Sequence, residues 1–117
     1  ANHLGDLGAL GNDAGFAFGL SQFMRLKEGW LRATERTLGQ RYLLDFVVPG
    51  GTRTDLTAAG ATLIAQCAGE ISGEVAVLRN IYEEHSGLRD RFSGAGALDP
   101  QLANWLGVVG LPGRASA

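Results

Sequence analysis

The sequence predicts an all-α protein, a bundle of three to four helices with one long N-terminal helix and a short extended segment near residues 44–51. Apolar residues recur with helical periodicity over most of the 117 residues. Only three prolines interrupt the chain. One run, residues 41–48, is rich in strand-forming side chains, and Pro49-Gly50-Gly51 ends it as a tight turn.

The first helix is predicted to run from about residue 2 to about 38, with Gly39 as its left-handed C-terminal cap. At 100° per residue, four glycines form one stripe, the glycine stripe, and large apolar residues form a face roughly opposite. The stripe is Gly8, Gly11, Gly15 and Gly19, and the apolar face includes Phe16, Leu20, Met24 and Leu31. Glycine costs about 1 kcal/mol relative to alanine inside a helix, so another element is expected to approach the stripe closely. A bend would fit among Gly5, Gly8 and Gly11.

Three further helices are predicted after the extended segment of about residues 42–51. One covers about 55–71, with Thr54 or Asp55 as its N-cap, and the next covers about 73–85. The last covers about 100–106, because Asp99-Pro100 combines a capping acid with a proline in the first turn.

Composition limits the class of protein. A hydrophobic content of 45% and a length of 117 residues suit one globular unit with a modest core. The net charge of −2 argues against a nucleic-acid partner or an anionic membrane surface. The single cysteine, Cys67, excludes a disulfide framework and any multi-cysteine metal site within the chain, and it favours a reducing cytosol.

Asp13 lies inside the predicted apolar face, where an ionised carboxylate is costly unless it is paired or protonated. Two interpretations are open. Asp13 is a proton-handling acid whose pKa is raised by burial, or it is a structural acid satisfied by Arg41 or by a backbone amide. Residue chemistry alone favours the structural acid. Asp6 and Asp13 also argue against a membrane span over residues 4–24.

His3, Asp6 and Asp13 share one side of the first helix, which raises the possibility of a metal site. Asp6 and Asp13 are roughly 10 Å apart along the axis. His3 with Asp6 offers only two ligands, where a tight zinc site needs three or four. We expect no metal site in this chain. Cys67 is expected to be a core residue, because no neighbouring base is available to activate it.

Short motifs along the whole chain resemble one family in their order and spacing. They are Asn2-His3-Leu4, Asn12-Asp13-Ala14-Gly15, Gly39-Gln40-Arg41, Val48-Pro49-Gly50-Gly51, Asp55-Leu56 and Gly113-Arg114-Ala115-Ser116. On these motifs, residues 1–117 resemble a single internal fragment of an energy-converting [NiFe]-hydrogenase large subunit of the formate hydrogenlyase type. That family is homologous to the 49-kDa subunit of NADH-quinone oxidoreductase, which is respiratory complex I.

The resemblance implies a helical scaffold within a membrane-associated redox complex that reduces protons to hydrogen on the cytoplasmic side of the inner membrane. The implied partners are an iron–sulfur small subunit, which carries the clusters, and membrane subunits. Two Cys-x-x-Cys pairs would hold the Ni–Fe centre, and neither lies in this chain, so the fragment itself would bind no cofactor and be inactive. With its two-sided first helix exposed, the isolated fragment is expected to self-associate.

For the site, the resemblance implies a role for Asp13 as a proton relay or a ligand-orienting acid. In the quinone-reducing relatives, an aspartate in this motif hydrogen-bonds a histidine from an amino-terminal hairpin. The resemblance also implies residues that support the site without lining it. These are His3, Arg41, Gly50 and Gly51.

Leu43 favours the hydrogenase branch, because quinone-reducing members often carry a histidine two residues after the arginine that Arg41 matches. Two alternatives stay open. The chain is a segment of the 49-kDa subunit of an NADH-quinone oxidoreductase and lines the quinone site, with quinone and NAD as cofactors. Or it is a non-enzymatic helical interaction module whose glycine stripe docks a partner helix.

Overall fold

A computed structural model describes residues 1–108 as five helices and one short hairpin; the motif at residues 113–116 lies outside the described residues. The strands β1 (Val47–Val48) and β2 (Gly51–Thr52) pair antiparallel, with Val47 opposite Thr52. The mostly helical fold class is confirmed. The helices are α1 (Asn2–Asp13), α2 (Ala17–Leu38), α3 (Ala58–Glu84), α4 (Ser86–Phe92) and α5 (Pro100–Trp105).

The prediction of one helix over residues 2–38 is wrong, because the chain reverses at residues 14–16 and α2 packs back along α1. Gly15 adopts a φ of +79°, a left-handed conformation that glycine reaches without strain. The Phe16 amide donates to the Gly11 carbonyl at 2.7 Å and closes the turn. The predicted bend among Gly5, Gly8 and Gly11 stays a prediction, and all three residues lie within α1.

The close approach predicted for the glycine stripe is confirmed at three of its four members. A Cβ at Gly8 would lie 3.2 Å from side-chain atoms of Phe23 and Met24. A Cβ at Gly11 or at Gly19 would overlap the Tyr82 hydroxyl. Gly15 serves the turn instead. Small size therefore lets α1, α2 and α3 meet closely.

The predicted interruption at Ser72-Gly73 is wrong, because α3 is continuous across both helices predicted there. One glycine costs about 1 kcal/mol in a helix interior. This cost is too small to end a helix when the segments before and after the glycine are both helical. The N-cap is Thr57, whose hydroxyl accepts from the Gly60 amide at 3.0 Å, and not Thr54 or Asp55. His85 ends α3, and its Nδ1 accepts from the Leu88 amide at 3.3 Å to begin α4, a helix that was not predicted.

The extended segment predicted at residues 42–51 is strand only at Val47–Val48 and at its last residue. Leu43 and Asp45 have φ values of +50° and +54°, which turn the chain before the hairpin. The predicted start of α5 is confirmed, since the Asp99 carboxylate accepts from the backbone amides of Gln101 and Leu102 at 2.8 and 2.9 Å.

The core is small and lies between α1, α2 and α3, with Phe23, Leu26 and Leu78 at its centre. The radius of gyration is 18.1 Å, whereas a compact domain of this length has roughly 13 Å. Large apolar side chains remain exposed, including Val77 at 60% and Trp105 at 82%. The helices therefore form an open arrangement rather than a closed bundle.

Within residues 1–108, α3 is long and apolar enough to cross a membrane by length and composition. The core helix of a soluble protein passes the same test where most of it is buried, but most of α3 is exposed within the described residues. Glu74, midway along α3, pairs with Arg25 of α2, as expected of a helix that packs against protein. The absence of a membrane span in this chain stays a prediction.

The exposed apolar surface leads us to expect that the 117-residue chain self-associates in dilute solution. Burial of side chains such as Val77 against a second copy removes apolar area from water, worth about 25 cal/mol per Å². Sedimentation velocity over a range of concentrations measures this. A chain that stays strictly monomeric over that range would contradict the expectation.

Candidate functional site

Asp13 is the last residue of α1, and its side chain is exposed. The predicted apolar helix face around Asp13 is therefore wrong, whereas its enclosure by other parts of a larger assembly stays a prediction. The predicted apolar face assumed one continuous helix. The turn at Gly15 instead places Phe16 and the residues after it on a helix that runs in the opposite direction. Whether Asp13 handles protons stays a prediction.

Arg41 does not pair with Asp13, because its guanidinium is held by Glu28 of α2. Arg41 Nη1 and Nη2 donate to the two Glu28 carboxylate oxygens at 3.1 and 2.6 Å. Arg32 Nε donates to the same carboxylate at 2.7 Å. The Arg41 hydrogen bonds, followed by that of Arg32, lower the pKa of Glu28 to about 2. The Glu28 carboxylate in turn raises the pKa of Arg41.

This ion pair predicts a pH dependence of stability with a definite sign. The pKa of Glu28 is lower in the folded chain than its ordinary 4.5, so the unfolded chain takes up the proton first as the pH falls. The stabilisation is therefore fully present above about pH 4.5 and is lost towards about pH 2. We expect Glu28→Gln to lower the urea midpoint at neutral pH, and the difference from the wild type to shrink on acidification.

The matched control is Glu84→Gln, at a glutamate for which residues 1–108 provide no ion-pair partner. Its urea midpoint should show no deficit relative to the wild type at any pH, because a negative charge at the C-terminal end of a helix is not stabilising. A Glu28→Gln deficit that is the same at neutral and acidic pH would contradict the assignment.

His3 and Asp6 lie together near the start of α1, with 3.8 Å between His3 Nδ1 and Asp6 Oδ2, and both side chains are exposed. Across the described part of the chain, no group of three or more His, Cys, Asp and Glu side chains is placed to hold a metal ion. Cys67 is half-buried. Burial, followed by the charge of Glu70, raises the pKa of its thiol and disfavours the thiolate that ligates metals. These residues do not fit a Ni–Fe centre.

The loop between α2 and α3 carries Arg41, Gly50 and Gly51. Gly50 has a φ of +93°, and no atom of residues 1–108 lies within 4 Å of a Cβ built there, so within this part of the chain glycine is required by the turn and not by a close neighbour. Leu43 and Asp45 take left-handed conformations that cost roughly 1–2 kcal/mol per non-glycine residue. The Arg53 amide donates to the Phe46 carbonyl at 2.9 Å and holds the base of the hairpin.

The predicted site residues fall at two ends of the helical hairpin formed by α1 and α2. Asn2, next to His3, shares a groove with Arg41 and Leu43 at one end. Asp13 lies at the other end, roughly 16 Å away along the axis of α1. The structure therefore brings the α2–α3 loop to the start of α1 and keeps both apart from Asp13.

Tyr82 is the residue at the Asp13 end that the sequence did not single out. Its hydroxyl donates to the Leu7 carbonyl of α1 at 3.0 Å. Its ring packs edge-on against Phe16 and Phe23, with centroid distances of 5.5 and 5.6 Å. The available signal was the glycine stripe itself, which required a large neighbour from another helix. Tyr82 is the aromatic residue on the inner face of α3.

Comparison with known proteins gives two findings. The family model described as respiratory-chain NADH dehydrogenase, 49 Kd subunit, matches residues 13–117. Formate hydrogenlyase subunit 5 of Escherichia coli (strain K12) is 31% identical over 115 residues, which is 98% of the chain and 20% of that protein. The chain thus spans about a fifth of the length of this relative. The family match includes Asp13, Arg41, Gly50 and Gly51, whereas His3 precedes it.

Proposed function

The chain belongs to the family of hydrogenase large subunits and 49-kDa subunits of respiratory-chain NADH dehydrogenase, and on that premise we propose that it serves the hydrogenase branch. It is a helical scaffold segment in the large subunit of a membrane-associated complex that reduces protons to hydrogen. Electrons reach the large subunit from an iron–sulfur small subunit. The complex sits at the cytoplasmic side of the inner membrane on its membrane subunits.

The observation that carries the proposal is the similarity to a formate hydrogenlyase subunit over nearly the whole chain. The identity of Leu43 also supports the hydrogenase branch. This side chain lies two positions after Arg41, takes a left-handed conformation and cannot titrate. The loop therefore offers no proton-accepting group at the position where quinone-reducing members often have a histidine.

Within this function, Asp13 is the residue of the chain that handles protons. Its carboxylate is exposed at the end of α1, where another segment of the subunit can reach it within hydrogen-bonding distance. Proton transfer requires a titratable group held at a fixed position. The chain has one cysteine, so the thiolates that hold a Ni–Fe centre come from other parts of the subunit.

The test is the activity of the complete purified complex. We expect hydrogen evolution from reduced methyl viologen and no NADH-dependent quinone reduction. NADH-driven quinone reduction without hydrogen evolution would overturn the proposal. The nickel content of the active complex is a second readout. Nickel would support the proposal, and an active complex without nickel would contradict it.

The second candidate is an NADH-quinone oxidoreductase subunit, with quinone bound beside Asp13 and NAD used elsewhere in the complex. The description of the matching family favours it. A non-enzymatic interaction module is the third interpretation, and membership in a family of oxidoreductase subunits argues against it. A complex that shows neither activity would favour the module.

A further inference from the structure

We infer that Tyr82 is a positioning residue for Asp13, and that it fixes the turn formed by residues 11–16, the Asp13 turn, against α3. This inference rests on the proposed function of Asp13 in proton transfer. It concerns a side chain 69 positions later in the sequence that touches no reacting atom.

Both ends of the Asp13 turn contact Tyr82. At the first end, Gly11 lies so close to the Tyr82 hydroxyl that a Cβ would overlap it. At the other end, the Phe16 ring packs edge-on against the Tyr82 ring at 5.5 Å, with an interplanar angle of 81°. The Phe16 amide also donates to the Gly11 carbonyl at 2.7 Å. A backbone hydrogen bond therefore closes the turn that carries Asp13, and Tyr82 contacts this turn at both ends.

The hydroxyl has a function that a phenyl ring could not supply. It donates to the Leu7 carbonyl at 3.0 Å, one turn before Gly11 on the same helix. A Cβ at Gly11 or at Gly19 would overlap the oxygen. Two glycines inside helices, one in α1 and one in α2, thus admit a single oxygen atom of α3. If Tyr82 only filled the space between α1 and α2, a phenyl ring would be enough. The hydroxyl and the two glycines beside it would then not be needed.

The surroundings of Tyr82 also favour the protonated phenol, which can donate a hydrogen bond. The side chain is half-buried, and burial raises the pKa of the phenol. The hydrogen bond to Leu7 therefore persists over the pH range in which a carboxylate titrates.

The experiment compares Tyr82→Phe, Asp13→Asn and the double variant in the complete complex. We expect Tyr82→Phe to assemble normally and to lower kcat roughly 10-fold, because a misplaced relay transfers protons poorly. KM for the electron donor should stay unchanged, and the pH dependence of kcat should shift. In the Asp13→Asn background, Tyr82→Phe should have no further effect on kcat.

The matched control is Thr62→Val on the same helix. The Thr62 hydroxyl donates to the Ala58 carbonyl of its own helix at 3.1 Å, so this change also removes a hydroxyl-to-carbonyl hydrogen bond but leaves the Asp13 turn untouched. Its kcat and pH profile should match the wild type. Phe16→Leu is the second variant, since it removes the ring at the other end of the turn while keeping Tyr82, and it should reproduce the loss and the coupling to Asp13.

The outcomes separate the two proposals. If Asp13→Asn turns over at the wild-type rate, the proposed role of Asp13 fails, and the inference about Tyr82 falls with it. If Asp13→Asn is impaired but Tyr82→Phe and Phe16→Leu lower kcat by the same factor with or without Asp13, the contacts are structural and only the inference about Tyr82 is overturned. An unshifted pH profile in both variants would also overturn it.

Discussion

Asparagine in place of Asp13 is expected to lower the turnover of the complete complex about 100-fold, the lower end of the effect of a general acid or base. Asparagine has nearly the size of aspartate but cannot carry the proton. Asp13 is exposed at the end of α1 and contributes nothing to the core of the chain. Yield, subunit composition and metal content of the complex should therefore match the wild type, and steady-state hydrogen evolution measures the loss.

The matched control is Asp90→Asn on α4. Asp90 is also an exposed aspartate, so the substitution removes the same charge without touching the Asp13 turn. Its turnover should be that of the wild type. A complex with Asp13→Asn that evolves hydrogen at the wild-type rate would show that this carboxylate takes no part in the reaction.

Alanine in place of Gly11 is expected to destabilise the folded chain by up to about 2 kcal/mol. Overpacking a close contact costs about 1–3 kcal/mol, and the better helix propensity of alanine returns about 1 kcal/mol. The new Cβ would overlap the Tyr82 hydroxyl and lie 3.3 Å from the Phe16 carbonyl oxygen. The movement of the hydroxyl is restricted, because it also lies close to Gly19 and donates to the Leu7 carbonyl. The urea midpoint of the 117-residue chain measures the loss.

Gly69→Ala on α3 is the control for this prediction. Among the described residues nothing lies within 4 Å of a Cβ at Gly69, so alanine there should stabilise the chain by up to about 1 kcal/mol through helix propensity. Tyr82→Phe in the Gly11→Ala background should recover part of the loss, because it removes the overlapping oxygen. Equal shifts for Gly11→Ala and Gly69→Ala would show that the contact with Tyr82 has no energetic weight.

Local signals in the sequence correctly predicted several elements of this chain. Asp99 followed by Pro100 marks a helix start, and Gly39 takes the left-handed conformation that ends α2. The short motifs along the chain predicted the family that the comparisons confirm. The glycine stripe predicted a close neighbour, since a helix interior tolerates several glycines only when their small size is used.

Local signals could not decide which glycine turns the chain. Gly8, Gly11 and Gly15 are equivalent as isolated residues, and only the packing of α1 against α2 and α3 distinguishes them. Gly8 and Gly11 are needed where side chains approach, and Gly15 is left to take the positive φ. The same packing moved Asp13 out of the predicted apolar face, because a reversal at Gly15 separates residues that one continuous helix would have aligned.

The partner of Arg41 was likewise decided by the tertiary structure. Charge alone made Asp13 an acceptable partner, but the α2–α3 loop places Arg41 beside Glu28, at the opposite end of the hairpin from Asp13. The sequence by itself determined the helical class, the family and the need for a neighbour at the glycine stripe, all of which depend on periodicity and short motifs. Only the tertiary structure decided where the chain reverses, that Tyr82 is the neighbour and which charges meet, because these depend on contacts between residues far apart in the chain.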